Sequence, residues 1–243
     1  MIGENAFWQF GENRAKAGYK SAWLVKDPDD TNATGKFALI GLTTNVPYPF
    51  GDTETFDVNV LQSSTIGKVE GKTTMDNVDV PVYHHRDNAY RFNKLAGKVL
   101  EFMSINSEFV GYKFTGTLKY KPDTAEASEN TATVTVTPLS GSEVPVYDAR
   151  NEIIETLCIG GVIPSTVKSG TAVDFSVTQT SASLTFKVKK IAPSTNAETD
   201  ATLTTDYTVG TSDNKVTFKS TGLFAVTVQA VGYGSWTTTV YVE

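Results

Sequence analysis

The sequence predicts a mainly β protein: a β-sandwich with one short helix on its flank, followed by a second, smaller β-sandwich. Apolar side chains recur at every second position in run after run, the period of a half-buried strand. A single stretch, residues 87–97, is spaced for a helix instead. Composition then divides the chain. From Ser165 onward 79 residues hold 18 Thr and 9 Ser, with six lysines against six acids, so residues 1–164 carry the whole formal charge of −6.

In the first region Phe56, Val58 and Val60 alternate with Asp57 and Asn59. Asp87 is placed to cap a helix whose Ala89, Phe92 and Ala96 share one face and whose stop is a left-handed Gly97. Further on, Tyr112, Phe114, Leu118 and Tyr120 alternate with Lys113, Thr115, Thr117 and Lys119, and Val134 and Val136 stand between threonines. Between Thr43 and Val80 one clear strand is expected. The rest reads as the turn at 47–52 and a polar loop over 67–79, of a length that is usually functional or disordered.

The glycine pair and proline within 160–165 mark a boundary, giving domains 1–160 and 165–243. In the second domain alternation appears at Val173/Phe175/Val177, Leu184/Phe186/Val188, Val216/Phe218, Val226/Val228/Ala230 and Trp236/Thr238/Val240/Val242. Turn residues separate these runs at Ser169-Gly170, at 212–214 and at 232–234. Several short strands at that spacing make an immunoglobulin-like sandwich, each sheet with one solvated face.

Charge and composition exclude several classes of function. A net −6 and a pI near 5.0 argue against a broad basic face gripping nucleic acid, and against an anionic membrane surface as partner. The single cysteine, Cys158, can form no intramolecular disulfide and no cysteine metal cage, and reads as a core residue. The start of the sequence lacks the basic and apolar run of a signal peptide, and no segment approaches the ~18 apolar residues of a membrane span, so a cytoplasmically made chain without a membrane partner is expected.

Four constellations look chemical. GKVEGKT at 67–73 has three residues between its glycines where a phosphate cradle needs four. Asp27, Asp29 and Asp30 cluster oxygen ligands, yet Asn32 and Ala38 stand where a helix-loop-helix calcium site needs glycine and glutamate, leaving a solvated acidic turn. His84 and His85 are adjacent with no cysteine or third histidine, which suits a turn before the helix better than zinc. Asn32-Ala33-Thr34 matches a glycosylation acceptor that a cytoplasmic chain would not use. No nucleophile-elbow pattern occurs. The sequence therefore assigns no catalytic, cofactor-binding or metal residue, and the chain is read as no enzyme.

The order of features in the first domain nonetheless resembles a known family. The run VYHHRDN at 82–88, the short helix, the strand around 99–102, GYKFTGTLKYKPD at 111–123 and TVTVTP at 133–138 are similar to the major tail protein, or tail tube protein, of long-tailed, non-contractile bacteriophages. The resemblance covers roughly residues 1–155. Residues 215–230 resemble the bacterial immunoglobulin-like domains often appended to such proteins, though a mid-domain tryptophan is missing.

The resemblance implies a tail-tube β-sandwich assembled as hexameric rings, which stack into a tube around a tape-measure protein and later pass genomic DNA. The related tube protein of type VI secretion has the same plan. Implied partners are the chain itself, the tape-measure protein, the tail terminator and the baseplate proteins, with transient, non-specific passage of DNA and no cofactor, in the virion tail.

On that reading net negative charge would repel the passing duplex, with Asp57, Glu70 and Asp79 as candidate bore-lining acids. Phe7, Trp8 and Phe10 are candidate ring-stacking residues, the alternative being a first strand tucked on its own core. The second domain would decorate the tube's exterior across a flexible boundary. A different class, a cell-surface or pilus-like adhesive protein built from immunoglobulin-like modules, fits the same pattern except for the missing signal peptide. A β-rich glycosidase would need two carboxylates in a concave site.

Overall fold

The structure is a computed structural model that describes residues 22–33, 35–40, 46, 53–58, 67–73, 76–106, 109–123, 130–139, 141–157, 159, 163–178, 180, 183–210 and 213–243, with the backbone alone for 53–58 and 67–73. The protein is mainly β, and among the described residues a single α-helix and one 3-10 turn accompany the strands.

The first region contains β1 (Ala22–Lys26), β2 (Ala38–Leu39), β3 (Thr53–Val58), β4 (Gly67–Thr73), β5 (Val78–Tyr83), α1 (Arg86–Leu95), β6 (Val99–Ile105), β7 (Gly111–Pro122), β8 (Thr131–Pro138) and β9 (Val144–Val146). Seven of these strands form one antiparallel sheet in the order β2-β1-β6-β7-β8-β5, with β9 pairing the start of β7 beside β8. Its main core lies under α1. Trp23, Phe102 and Phe114 stack in a row there, at centroid distances of 5.7 and 5.5 Å, and Phe92 and Leu95 of the helix close over the sheet. At one end of the opposite face Phe37, Phe109 and Ile153 cover Leu24 and Met103.

The helix differs from expectation at its start. His85, not Asp87, is the N-cap: its imidazole accepts the Asn88 amide at 3.3 Å, which leaves the Asp87 carboxylate in the first turn to bond elsewhere. The stop is the predicted one, Gly97 at φ +77°, a conformation that an L side chain rarely adopts. Its amide donates to the Leu118 carbonyl at 2.9 Å and ties the helix end to β7.

The polar loop expected over 67–79 is instead largely strand: β4 pairs antiparallel with β3, through a register shift between Thr53 and Thr55, and β5 begins at Val78. Extended pairing there rests on a backbone neighbour and not on amphipathic alternation, which is why period-two reading missed it. β1 was missed for the opposite reason. Both of its faces are buried, Trp23 and Val25 in the main core and Ala22 and Leu24 in the smaller one, so the strand shows no polar alternation.

The second region is a two-sheet sandwich. β10 (Thr166–Val167), β12 (Thr185–Ile191), β13 (Glu198–Asp200), β16 (Gly222–Gln229) and β17 (Trp236–Val242) form one sheet in the order β10-β17-β16-β12-β13. β11 (Ala172–Asp174), β14 (Tyr207–Val209) and β15 (Lys215–Phe218) form the other, in the order β11-β15-β14. Val173, Val216 and Phe218 of the smaller sheet meet Val188, Phe224, Val226 and Val240 of the larger one. Leu157 is already part of this core, and Thr156 bridges to Gly234, so the handover between regions precedes the glycine pair at 160–161.

Candidate functional site

The seven-stranded sheet has one face under α1 and, along β5, β8 and β7, another that no described residue covers. Strict alternation decides what stands there. The inward residues of β8 are Ala132, Val134 and Val136, all buried, so Thr131, Thr133, Thr135 and Thr137 point the other way. On β7 the outward set is Thr115, Thr117, Lys119 and Lys121, the last two exposed, and on β5 it is Asp79, Pro81 and Tyr83. Register aligns these into rows: Asp79 beside Thr135 beside Lys119, and Pro81 beside Thr133 beside Lys121. The Thr135 hydroxyl donates to Asp79 at 2.6 Å, and that of Thr133 to Asp123 at 2.9 Å.

Among the described residues the strand ladder of β5 is with β8. Pro81 sits in its middle, opposite Thr133 of β8.

The predicted acids fall as follows. Asp79 lies on the uncovered face, two strands from Lys119, which at ~4.8 Å per strand is a separation of about 10 Å. That patch is therefore mixed in sign. Asp57 is opposite Lys68, and Glu70 opposite Thr55, in the β3–β4 pair, which has no ladder to the main sheet among the described residues. Phe7, Trp8, Phe10 and Cys158 lie outside the described residues.

The other constellations resolve into structure. The 67–73 segment is an extended strand and no cradle. Asp27 accepts the Asp29 amide and Asp30 the Asn32 amide, while Asp29 pairs with Lys98 at 2.7 Å, so the acidic turn is closed on itself and on its neighbours. His85 caps the helix, and His84 Nδ1 lies 2.6 Å from the Tyr120 hydroxyl. An open cleft of about 520 Å³ between β1, β6 and the 27–36 turn is lined by Lys26, Lys36 and Glu101. Lys26 pairs with Glu101 there, and Lys36 donates to the Asn151 carbonyl.

A second polar cluster, which sequence reading did not single out, lies where α1 meets the second region. Tyr90 donates to Glu198 at 2.7 Å, with Lys189 at 2.8 Å and Lys94 at 3.6 Å from the same side chain. Burial and this hydrogen bond to a carboxylate push the Tyr90 hydroxyl well above its ordinary range. For Glu198 burial pushes upward, but the bonds from Lys189 and Tyr90 and the Lys94 charge together hold the carboxyl below its usual value. The Arg91 guanidinium lies 4.6 Å from the centre of the Trp236 ring and donates to the Leu39 carbonyl at 2.6 Å. Burial takes its pKa down to about 10, against the opposing pull of Asp27 and then Asp30.

Glu155 stands in the connecting segment, 9% exposed, with one carboxylate oxygen buried and without a partner among the described residues. Burial raises its pKa. A raised value in the folded state means that its favourable contribution is complete below the unfolded carboxyl range and is lost as pH rises through the folded value. Glu155→Gln is therefore expected to stabilise the protein at neutral pH, with the difference from wild type vanishing as the pH falls below 4.5. Urea midpoints of both proteins from pH 4 to 8 check this. A constant offset across that range would mean that the carboxylate is not desolvated.

Among the described residues no helix is long and apolar enough to cross a membrane. Compared with known protein families and with curated proteins, the chain finds no match.

Proposed function

We propose that this chain is a structural virion protein, the tail tube subunit of a long-tailed, non-contractile bacteriophage, polymerising as stacked hexameric rings into the conduit for DNA ejection. The observation that carries the reading is the threonine and lysine face of a large antiparallel sheet along β7, β8 and β5, which no described residue covers. A sheet of this size can continue from copy to copy around a closed ring, an arrangement that leaves no strand edge exposed. Large wet faces built of threonine and mixed charge suit a surface that neighbours or solvent-filled bore can meet without a dedicated ligand.

In this role the partners are other copies of the chain, the tape-measure protein, the tail terminator and the baseplate proteins, and DNA passes without being held. The −6 carried by residues 1–164 favours release of a duplex over its retention. Asp57, Glu70 and Asp79 are the acids assigned to the bore, Lys119 tempering the last of them.

Negative-stain electron microscopy of the concentrated protein tests the proposal. Stacked rings or tubes with a central hole are the expected result. Particles that stay monomeric even after tape-measure and baseplate components are added would overturn it.

A further inference from the structure

We infer that α1 latches the two regions into one cooperative unit, because carboxylates of the first region close the free edge of β17 in the second. β17 is paired along its whole length with β16 on one side. On the other side β10 reaches only Tyr241 and Val242. The amides that point to this open side follow the odd numbers. Those of Tyr241 and Glu243 donate to Ser165 and Val167 at 3.0 and 2.9 Å, and the edge ahead of them has no strand partner among the described residues.

Two aspartates from the first region take over there. Asp87 Oδ1 accepts both the Thr239 amide and the Thr239 hydroxyl at 2.7 Å, and its Oδ2 accepts the Thr238 hydroxyl at 2.8 Å. Asp30 Oδ2 accepts the Ser235 amide at 2.9 Å. Hydrogen bonds to a carboxylate are the stronger kind, and these stand where no described strand pairs with the edge.

The rest of the helix follows the same line. Asp87 touches β17, while Tyr90 and Lys94 reach Glu198 in β13 at the far side of the sheet, so α1 spans it. Arg91 lies over Trp236, and Arg86 donates to the Ser165 carbonyl at 2.7 Å. The opposite stripe, Asn88, Phe92 and Leu95, is buried on the seven-stranded sheet. Both faces of the helix are therefore committed, and neither region can open without stripping one of them.

Hydrogen exchange of the full chain across a urea series tests the latch. For wild type, slow amides of β17 and β16 and those of β7 and β8 are expected to share one midpoint. In Asp87→Ala the Thr239 amide is expected to exchange about tenfold to a hundredfold faster, and the two sets of midpoints to separate. Asp87→Asn, which keeps one acceptor oxygen, should fall between. Separate midpoints in wild type, or unchanged Thr239 exchange in a folded Asp87→Ala protein, would overturn the inference. The wild-type measurement decides the matter even where the alanine variant does not fold.

Discussion

Replacing Trp23 with alanine is expected to remove about 3–5 kcal/mol of stability, the usual toll for a large aromatic in a close-packed core. Trp23 is 1% exposed and begins the aromatic row that continues through Phe102 to Phe114 beneath α1. It also sits on β1, a strand buried on both faces, so the surrounding side chains cannot collapse into the space without moving a second core. Against a total stability of ~5–15 kcal/mol this is a large share, enough to leave a sizeable unfolded population.

The companion variant sharpens the test. The Trp23 indole N–H is buried with no hydrogen-bond partner among the described residues, so Trp23→Phe removes an unsatisfied donor together with part of the ring. Its loss should be well under half that of the alanine variant. Urea unfolding followed by far-UV circular dichroism measures both, and equal losses would show that the indole N–H is bonded after all.

The second large effect is expected at Gly111. A Cβ built there falls on the carbonyl oxygen of Ser104 and within 2.9 Å of the Ile105 Cα, both backbone atoms of the partner strand β6. No rotamer change relieves a clash with backbone. The first residues of β7 pair with β6 on one side and β9 on the other, so a shift there disturbs two ladders. Gly111→Ala should therefore cost about 3 kcal/mol. Gly141→Ala is the control: φ is +71° and no atom lies within 4 Å of the added carbon, so the loss is conformational, about 1 kcal/mol. Thermal unfolding of the pair would refute the close approach of β6 and β7 if both variants lost the same amount.

Legibility varied from element to element for reasons that can be named. β7 and β8 read clearly because one face is dry and the other wetter, and β12, β16 and β17 because their large apolar residues keep a period of two, even though Ala225, Gln229 and Thr239 are buried as well. β1 was invisible because burial on both faces erases the alternation. β4 was invisible because six of its seven residues are glycine, threonine or charged, and its conformation comes from pairing with β3. At the helix, the apolar stripe of Phe92 and Ala96 was readable, and so was the glycine stop. The opposite stripe of Asp87, Tyr90, Arg91 and Lys94 has the composition of a solvated face, and local sequence alone holds no sign that it meets a second sheet.

The candidate site shows the same division. Asp79 could be recognised as an acid of a strand-rich region, and the acidic balance of residues 1–164 was countable. That Asp79 stands in one row with Thr135 and Lys119 depends on the register of three strands, two of them far from the first in the chain. Composition, period and turn residues act within a few positions of one another, and they settle strands, a helix stop and a mainly β class. Register between distant strands, the capping of an edge by Asp87 and the burial of a polar helix face arise from contacts between residues as much as 152 positions apart, and the fold as a whole decides them.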